Sequence, residues 1–400
     1  MDKDAGTFSI PVFGLYQSYT NGVTLSYTLG TVKKMMSVKI TTPAWSGGSS
    51  GQFSSMATVV ARQSAVRLDY GFIELKYFAS ANTPVVMDTD GEVRWIGPDF
   101  TASQPAYFDG SDFFVSYGTS LARIGLDGRT KVLADYSNLG VTGFHHNFDK
   151  GRDGILMQVD RGSHVESTII EAGADGSVKH VWDLESIVAK TMQAGGDDPS
   201  SFVRVGVDWL HTNATTYWKA QNELVVSGRE DFVMGIDYDT GQLRWLLGDM
   251  TKAWAQYPSL RKLALKVTGV APAGEHAVSI TAKGELMMFD NGTASFNSAG
   301  AMGVSRDHAV PRKYKLDLKR MTAVETWHFE HAPPIFSPIC SSIYELGSSL
   351  LIDYASENWG SNIRLLGLDR AGSIAFEYTV PGSWGNGWNA SPISLSRLSF

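Results

Sequence analysis

A short turn phrase recurs six times along the chain, and this repeat restricts the folds that the chain can adopt. Each copy contains an aspartate, a short turn that usually includes glycine, and an alternating segment that often ends in an aromatic residue. The copies are MDTDGEVRW at 87–95, IGLDGRTKVL at 124–133, AGADGSVKHVW at 172–182, IDYDTGQLRWLLG at 236–248, YKLDLKRMTAVETWHF at 314–329 and LGLDRAGSIAFEY at 366–378. Because aspartate can bond the backbone of its own turn and glycine accepts positive φ, each copy predicts a β-hairpin.

Apolar runs alternate with these turn phrases. They are FFVSY at 113–117, GILMQV at 154–159, ELVVSG at 223–228, ELMMFD at 285–290 and SLLIDY at 349–354. Such runs are typical of strands that are buried on both faces. The alternation predicts six four-stranded units, and hence a six-bladed β-propeller, in which radial repetition protects the sheet edges. The alternative, a pair of β-sandwiches, accounts less well for the alternation. Helix is expected to be sparse, with one piece near 185–194.

The first 80 residues lack the repeat and show a different β pattern. Residues 11–29 alternate around Asn21-Gly22, which predicts a hairpin there. Further strands are expected in 37–45 and 72–78, with the turn-rich stretch SGGSSGQFSS between them. We therefore predict a small N-terminal β-sandwich domain over residues 1–80 and the propeller over residues 81–400.

Composition excludes several classes of protein. The chain is 43% hydrophobic and 19% charged, which favours a packed globular protein over disorder. A net charge of −7 argues against a nucleic-acid binder, which needs a basic face. The single cysteine, Cys340, rules out an intramolecular disulfide and a CxxC zinc site. No apolar run is long enough to span a membrane, and the start MDKDAGTFSI does not resemble a signal peptide.

Three histidine patches occur in register with the repeat. The segments are FHHN at 144–147, DWLHTN at 208–213 and GEHA at 274–277, so 65 residues separate His146 from His211 and His211 from His276. Each patch precedes an apolar run at a similar distance, which places a histidine at the start of the first strand of its blade. First strands line the channel of a propeller, so we expect the three imidazoles to converge near its axis. Alternation sends His145 and His146 to opposite faces, and His145 is the less favoured of the two.

A second register places Arg161, Arg229 and Asn291 after the same apolar runs. Imidazoles together with a guanidinium suit a tetrahedral oxyanion such as sulfate or phosphate. A three-histidine site for zinc, copper or iron is the alternative, although no carboxylate partner is evident in the sequence. No HExxH, P-loop, GxGxxG or GxSxG motif is present. The other histidines are expected to be structural or at the surface: His164, His180, His308, His328 and His331.

Taken as a set, these segments resemble the bacterial PAPS-independent arylsulfate sulfotransferases. The resemblance is carried by DWLHTN, ELVVSGRE and IDYDTGQLRWLLGD, by GEHAVSITAKGELMMFDNG, by FHHNFDKGRDGILMQVD and by PVFGLYQSYTNGVTLSY. It extends from about residue 8 over nearly the whole chain. The resemblance implies a six-bladed propeller with its active site in the central channel, and an N-terminal β-sandwich.

The resemblance also implies roles for individual residues. His276 corresponds to the histidine that is transiently sulfated, and His211 to the general acid and base. Arg229 and His146 correspond to residues that bind the sulfuryl oxygens, while Asn213 and, as an alternative to His146, His145 are expected to contact substrate. No cofactor and no metal are implied. The family's better-known members carry a disulfide near this segment, which Cys340 alone cannot form.

The expected function is transfer of a sulfuryl group from an aryl sulfate donor to a phenolic acceptor by a ping-pong mechanism through a sulfohistidine. The alternatives are an aryl sulfatase-like hydrolase and a non-catalytic propeller that binds anions or a protein partner. The resemblance further implies export to the periplasm and a homodimer, whereas the acidic N-terminus by itself also fits a cytoplasmic protein. Neither a nucleic acid nor a membrane span is expected.

Overall fold

Six sheets of four or five strands form a six-bladed β-propeller, as the sequence predicted. The computed structural model describes residues 10, 12–44, 56–76, 84–98, 105–381, 387 and 389–395. The stretch SGGSSGQFSS at 46–55 lies outside these residues. Within them, no helix is long and apolar enough to cross a membrane.

The N-terminal segment forms a separate two-stranded sheet of β1 (Thr20–Leu29) and β2 (Val32–Thr41). The prediction of a hairpin turn at Asn21-Gly22 was wrong, because both residues lie within β1 and the chain reverses at Gly30, whose φ is +64°. The Asn21 amide instead accepts a hydrogen bond from the Tyr16 backbone and donates to the Tyr16 carbonyl. The asparagine of an Asn-Gly pair can therefore form side-chain hydrogen bonds at the beginning of a strand instead of forming a turn.

The remaining strands belong to the propeller. The first of them is β3 (Ala57–Val60), which is followed by β4 (Phe72–Lys76), β5 (Val85–Asp88) and β6 (Val93–Ile96) of blade 1 and by β7 (Ala106–Phe108), β8 (Asp112–Tyr117), β9 (Ser120–Gly125) and β10 (Thr130–Asp135) of blade 2. Blade 3 contains β11 (Val141–Lys150), β12 (Ile155–Arg161), β13 (His164–Ala172) and β14 (Val178–Asp183), and blade 4 contains β15 (Thr212–Trp218), β16 (Glu223–Gly228), β17 (Phe232–Asp237) and β18 (Leu243–Leu247). Blade 5 contains β19 (Lys266–Thr268), β20 (His276–Ile280), β21 (Leu286–Asp290), β22 (Val310–Asp317) and β23 (Thr322–His328), blade 6 contains β24 (Ser342–Leu346), β25 (Ser349–Glu357), β26 (Asn362–Leu368) and β27 (Ile374–Pro381), and the last strand is β28 (Asn389–Ile393).

Strands from both ends of the chain close the ring. β28 pairs with β4 and supplies the first strand of blade 1, while β3 pairs with β27 and adds a fifth strand to blade 6. The predicted division at residue 80 assigned β3 and β4 to the N-terminal domain. Their hydrogen bonds to C-terminal strands instead place β3 and β4 in the propeller sheets.

The six turn phrases form the hairpins between the third and fourth strands of the six blades. In every one of them an aspartate Oδ1 accepts a hydrogen bond from a backbone N–H two to four residues later. These aspartates are Asp88, Asp127, Asp175, Asp237, Asp317 and Asp369. The repeat therefore reflects one local hydrogen-bonding pattern used six times. The apolar runs form the second strand of their blades.

The core is divided among the interfaces between neighbouring blades. Successive residues of a strand point to opposite faces of its sheet, so a central strand supplies two interfaces. Leu224 and Val226 of β16 pack toward blade 3, whereas Val225 packs toward blade 5. Burial on both faces explains why these runs are continuously apolar.

Two short helices flank blade 4: α1 (Leu184–Ala194) and α2 (Pro258–Arg261). 3₁₀ turns occupy Ser137–Leu139 and Ala253–Gln256. The expected helix near 185–194 is confirmed as α1. Asp183 caps its N-terminus by accepting a hydrogen bond of 2.9 Å from the Ser186 backbone.

Candidate active site

The three histidine patches lie on the first strands of three consecutive blades, as predicted. His146 lies within β11, His211 directly precedes β15, and His276 begins β20. The Nε2 atoms of His146 and His211 are 3.0 Å apart. The ring centroids of His146 and His276 are 6.0 Å apart. The recurrence in sequence therefore reflects convergence in space.

Backbone irregularity brings these side chains together. The strand pairing shifts register within β11, within β15 and within β20, next to each histidine. His146 and His211 have φ values of +52° and +53°, and Ala277 beside His276 has +55°. Positive φ is rare for residues with a Cβ, and such strain is concentrated at functional sites. Each histidine therefore lies at or next to a bulge in the first strand of its blade.

Two carboxylates that sequence analysis missed lie against the histidines. Asp208 Oδ2 is hydrogen-bonded to His211 Nδ1 at 2.6 Å, and Glu166 Oε2 lies 2.8 Å from the same nitrogen. Glu166 Oε2 is also 3.5 Å from His146 Nε2 and 3.8 Å from His145 Nδ1. Asp208 could have been found, because it stands three residues before His211 in DWLHTN. Glu166 lies in the β12–β13 hairpin, and no motif marks it.

The carboxylates give the neighbouring imidazoles different protonation states. Burial opposes the charge on His211, but its contacts with Asp208 and Glu166 raise its pKa to about 9. Burial lowers the pKa of His146 to about 4, although Glu166 acts in the opposite direction. The proton between the two Nε2 atoms therefore resides on His211, which donates to a neutral His146. Burial disfavours ionisation of Glu166, yet His145, His146 and His211 hold its pKa well below the usual range.

His276 is neutral, and its surroundings select one tautomer. Burial, followed by the nearby His146 and Arg229, holds the pKa of His276 well below its usual value. Its Nδ1 faces two acceptors, Asn291 Oδ1 at 2.8 Å and the Gly274 carbonyl at 3.2 Å. The orientation of the Asn291 amide is set because its nitrogen donates to the carbonyls of Ser337 and Cys340. Nδ1 therefore carries the proton, and Nε2 keeps its lone pair.

The Nε2 lone pair of His276 has one weak contact. The Cys340 backbone N–H donates to it at 3.2 Å. Cys340 and Ser341 have φ values of +55° and +81°, so this segment is also strained. The hydroxyls of Ser341 and Ser342 bond within the protein, to Ser337 and to the Ala390 carbonyl respectively.

Arg229 lies beside the histidines and is nearly buried. It follows β16, its backbone N–H donates to the His211 carbonyl at 3.1 Å, and its side chain is 9% exposed. Its Nη2 forms a short ion pair with the buried carboxylate of Glu230, whereas its buried Nε has no partner among the described residues. A buried guanidinium with an unused donor is suited to an anion.

The other candidates have more limited contacts. The Asn213 side chain donates to the Glu275 carbonyl at 2.7 Å, so it supports the backbone that precedes His276. His145 is buried, and neither of its ring nitrogens has a hydrogen-bond partner among the described residues. Asn291 reaches the site, but Arg161 donates to the Leu139 carbonyl instead.

This arrangement is chemically competent for transfer of a group from an anionic substrate. A neutral imidazole with an available lone pair lies next to an imidazolium and a guanidinium. The histidines and carboxylates of the site could instead hold a cation. The ligand atoms of His145, His146 and Glu166 lie within 4.8 Å of one another, as do those of Glu166, Asp208 and His211. The carboxylates that a metal site would need are therefore present.

Comparison with known proteins yields two matching family models. One, described as Arylsulfotransferase (ASST), matches residues 56–379, and the other, described as Arylsulfotransferase Ig-like domain, matches residues 1–43. Two curated relatives are both named Arylsulfate sulfotransferase AssT. The protein from Escherichia coli O6:H1 is 24% identical, over 64% of this chain and 54% of the relative. The protein from Lelliottia amnigena is 23% identical, over 84% of this chain and 73% of the relative. The chain thus spans about half the length of the E. coli relative.

Two solved propeller structures are similar only at a low level. The β-propeller domain of Myceliophteria thermophila Cps50 (Swd1) has a TM-score of 0.41 and 11% identity, covering 82% of this chain and 89% of that one. BamB from Moraxella catarrhalis has a TM-score of 0.32 and 11% identity, covering 85% and 92%. Similarities this weak carry no argument about function. Because a family model matches most of the residues, the chain belongs to the arylsulfotransferase family.

Proposed function

We propose that the protein transfers a sulfuryl group from an aryl sulfate ester to a phenolic acceptor, without PAPS, through a sulfohistidine on His276. The observation that carries this proposal is a neutral His276 with a defined Nε2 lone pair beside Arg229 and a protonated His211. Membership of the family and the names of both curated relatives support the same activity.

In the first step, Nε2 of His276 attacks the sulfur of the donor. A nitrogen–sulfur bond forms, the bond between sulfur and the aryl oxygen breaks, and the phenolate takes the Nε2 proton of His211, which must leave its hydrogen bond to His146. The Cys340 N–H, which now donates to Nε2, must release the lone pair and can then donate to a sulfuryl oxygen. Forming a covalent intermediate divides one difficult transfer into two easier ones.

In the second step, the phenolic acceptor attacks the same sulfur. Neutral His211 removes the phenol proton, the nitrogen–sulfur bond breaks, and His276 returns to its neutral state. Arg229 and His146 are proposed to stabilise the charge on the sulfuryl oxygens in both steps, with His145 as the alternative to His146. Asn213 supports the backbone before His276 through its side-chain nitrogen, and its side-chain oxygen has no partner among the described residues, so contact with substrate is kept as part of the proposal.

The pH profile tests the role of His211. The donor half-reaction needs His211 protonated, and its pKa is about 9. The value of kcat/KM for the donor is therefore expected to fall as pH rises above about 9. Because Glu166 favours the charged imidazole, Glu166→Gln should move this fall toward neutral pH. Initial rates across the pH range measure both effects.

Asp307→Asn is the matched control for that variant. Asp307 is an exposed carboxylate that contacts His308 at 2.6 Å, outside the site. Its removal should leave the profile in place. A profile that Glu166→Gln does not move would show that Glu166 does not set the protonation of His211.

The proposed function is tested first with 4-nitrophenyl sulfate, with and without phenol and in the absence of PAPS. Release of 4-nitrophenol that depends on phenol is the expected result, together with formation of phenyl sulfate. Release that is equally fast without phenol would instead support a hydrolase that uses the same site. Saturable binding of the donor without release would support a non-catalytic anion-binding propeller.

A metalloenzyme is the remaining alternative, because Glu166 and Asp208 supply the carboxylates that the sequence did not suggest. The proposal assigns no step to a metal, so dialysis against EDTA should leave the rate of transfer unchanged. Metal analysis of protein purified without chelator provides the independent measurement. A full equivalent of zinc, copper or iron, whose removal stops transfer, would overturn the metal-free mechanism.

An exported, periplasmic location and a homodimer remain predictions from the family resemblance. Cell fractionation and light scattering on the purified protein test them separately from the chemistry.

A further inference from the structure

Aromatic side chains extend outward from the anion-binding guanidinium. The Cζ atom of Arg229 lies 4.4 Å from the centre of the Phe296 ring. The rings of Phe296 and Trp359 are 6.4 Å apart with an interplanar angle of 33°, and Phe336 contacts Trp359 edge-on at 5.8 Å. The rings of Phe296, Trp359 and Phe336 therefore form a row in space that begins at Arg229.

Two of these rings are exposed although they lie beside a buried polar site. Phe296 is 44% exposed and Trp359 is 49% exposed. Phe296 lies in the connection between β21 and β22, and Trp359 lies in the turn between β25 and β26. Arg229 lies in the equivalent connection of blade 4. The rings are thus on the same end of the propeller as the site.

Buried contacts hold the rings in place. Glu230, which pairs with Arg229, also accepts hydrogen bonds of 2.7 Å from the backbone N–H groups of Phe296 and Asn297. The Asn358 N–H donates to the Phe336 carbonyl at 2.8 Å, which ties the Trp359 turn to the segment that carries Cys340. One fully buried carboxylate therefore fixes both the guanidinium and the nearest ring.

We propose that Phe296 and Trp359 form a platform for the aryl group of the donor, and that this platform selects fused two-ring aryl sulfates over single-ring ones. The inference rests on the proposed function. With the sulfuryl group at Arg229, one ring of the donor reaches Phe296, and only a second ring extends to Trp359. The two protein rings are too close to enclose a substrate between them, so they offer one extended apolar surface.

The test compares 2-naphthyl sulfate with phenyl sulfate, whose leaving groups have similar acidity. Affinities are measured by calorimetry in a His276→Ala background, which cannot form the sulfohistidine, and donor kcat/KM is measured on the unmodified protein with 4-methoxyphenol as a fixed acceptor. The naphthyl ester is expected to bind about 3- to 10-fold more tightly, the effect of one aromatic contact. Trp359→Ala should remove this preference with little change for phenyl sulfate, and Trp359→Phe should retain most of it.

Tyr27→Ala provides the matched control, because Tyr27 is 47% exposed in the separate N-terminal sheet. Equal affinity for the two esters while Trp359 is present, or a preference that survives Trp359→Ala, would overturn the platform. The expected binding preference without any transfer would leave the platform in place and contradict only the proposed function.

Discussion

Replacing His276 with alanine is expected to abolish sulfuryl transfer, with a loss of at least about 10⁴-fold in kcat/KM. Neither His211 nor His146 can replace it. His211 is protonated, and the Nε2 of His146 accepts the proton that His211 offers. Only His276 combines neutrality with a tautomer fixed by Asn291 and Gly274.

Two measurements separate loss of chemistry from loss of fold. Rates are compared with those of His328→Ala, which removes a half-exposed imidazole in blade 5 and should leave transfer unchanged. Mass spectrometry of unmodified protein incubated with donor alone should show one added SO₃ group on His276. A folded His276→Ala protein with full activity would exclude His276 as the nucleophile.

Arg229→Lys is expected to lower donor kcat/KM by roughly 10²-fold. Lysine keeps the positive charge but replaces the planar guanidinium with a compact ammonium group. It therefore cannot bind two sulfuryl oxygens through parallel hydrogen bonds. The exchange would also change the ion pair with Glu230 and the contact of the guanidinium with Phe296. Most of the loss should appear in kcat, because charge on the oxygens is redistributed in the transition state.

Arg129→Lys is the control for this exchange, since the Arg129 side chain is 91% exposed and lies in a surface turn. Circular dichroism and thermal unfolding establish whether the Arg229 variant remains folded. Kinetics equal to those of the unmodified protein would mean that Arg229 does not bind the transferred group.

Local chemistry was sufficient to predict the blades from the sequence. Asp88, Asp237 and Asp369 bond their own turns, so the signal is contained within a few consecutive residues. The continuous apolar runs follow from burial of both faces of a blade. The prediction at Asn21-Gly22 failed for a related reason, because a local motif can serve more than one backbone conformation.

The repeat also predicted which histidines meet, since equivalent positions on successive blades approach the axis. It could not give their protonation states, which depend on contacts between segments distant in the chain. Glu166 reaches His211 from blade 3, and Asn291 and the Cys340 N–H reach His276 from two different loops. Sequence alone determined the propeller and the identity of the three imidazoles. Only the tertiary structure raised the pKa of His211 and lowered that of His276, because burial and neighbouring charge act through space.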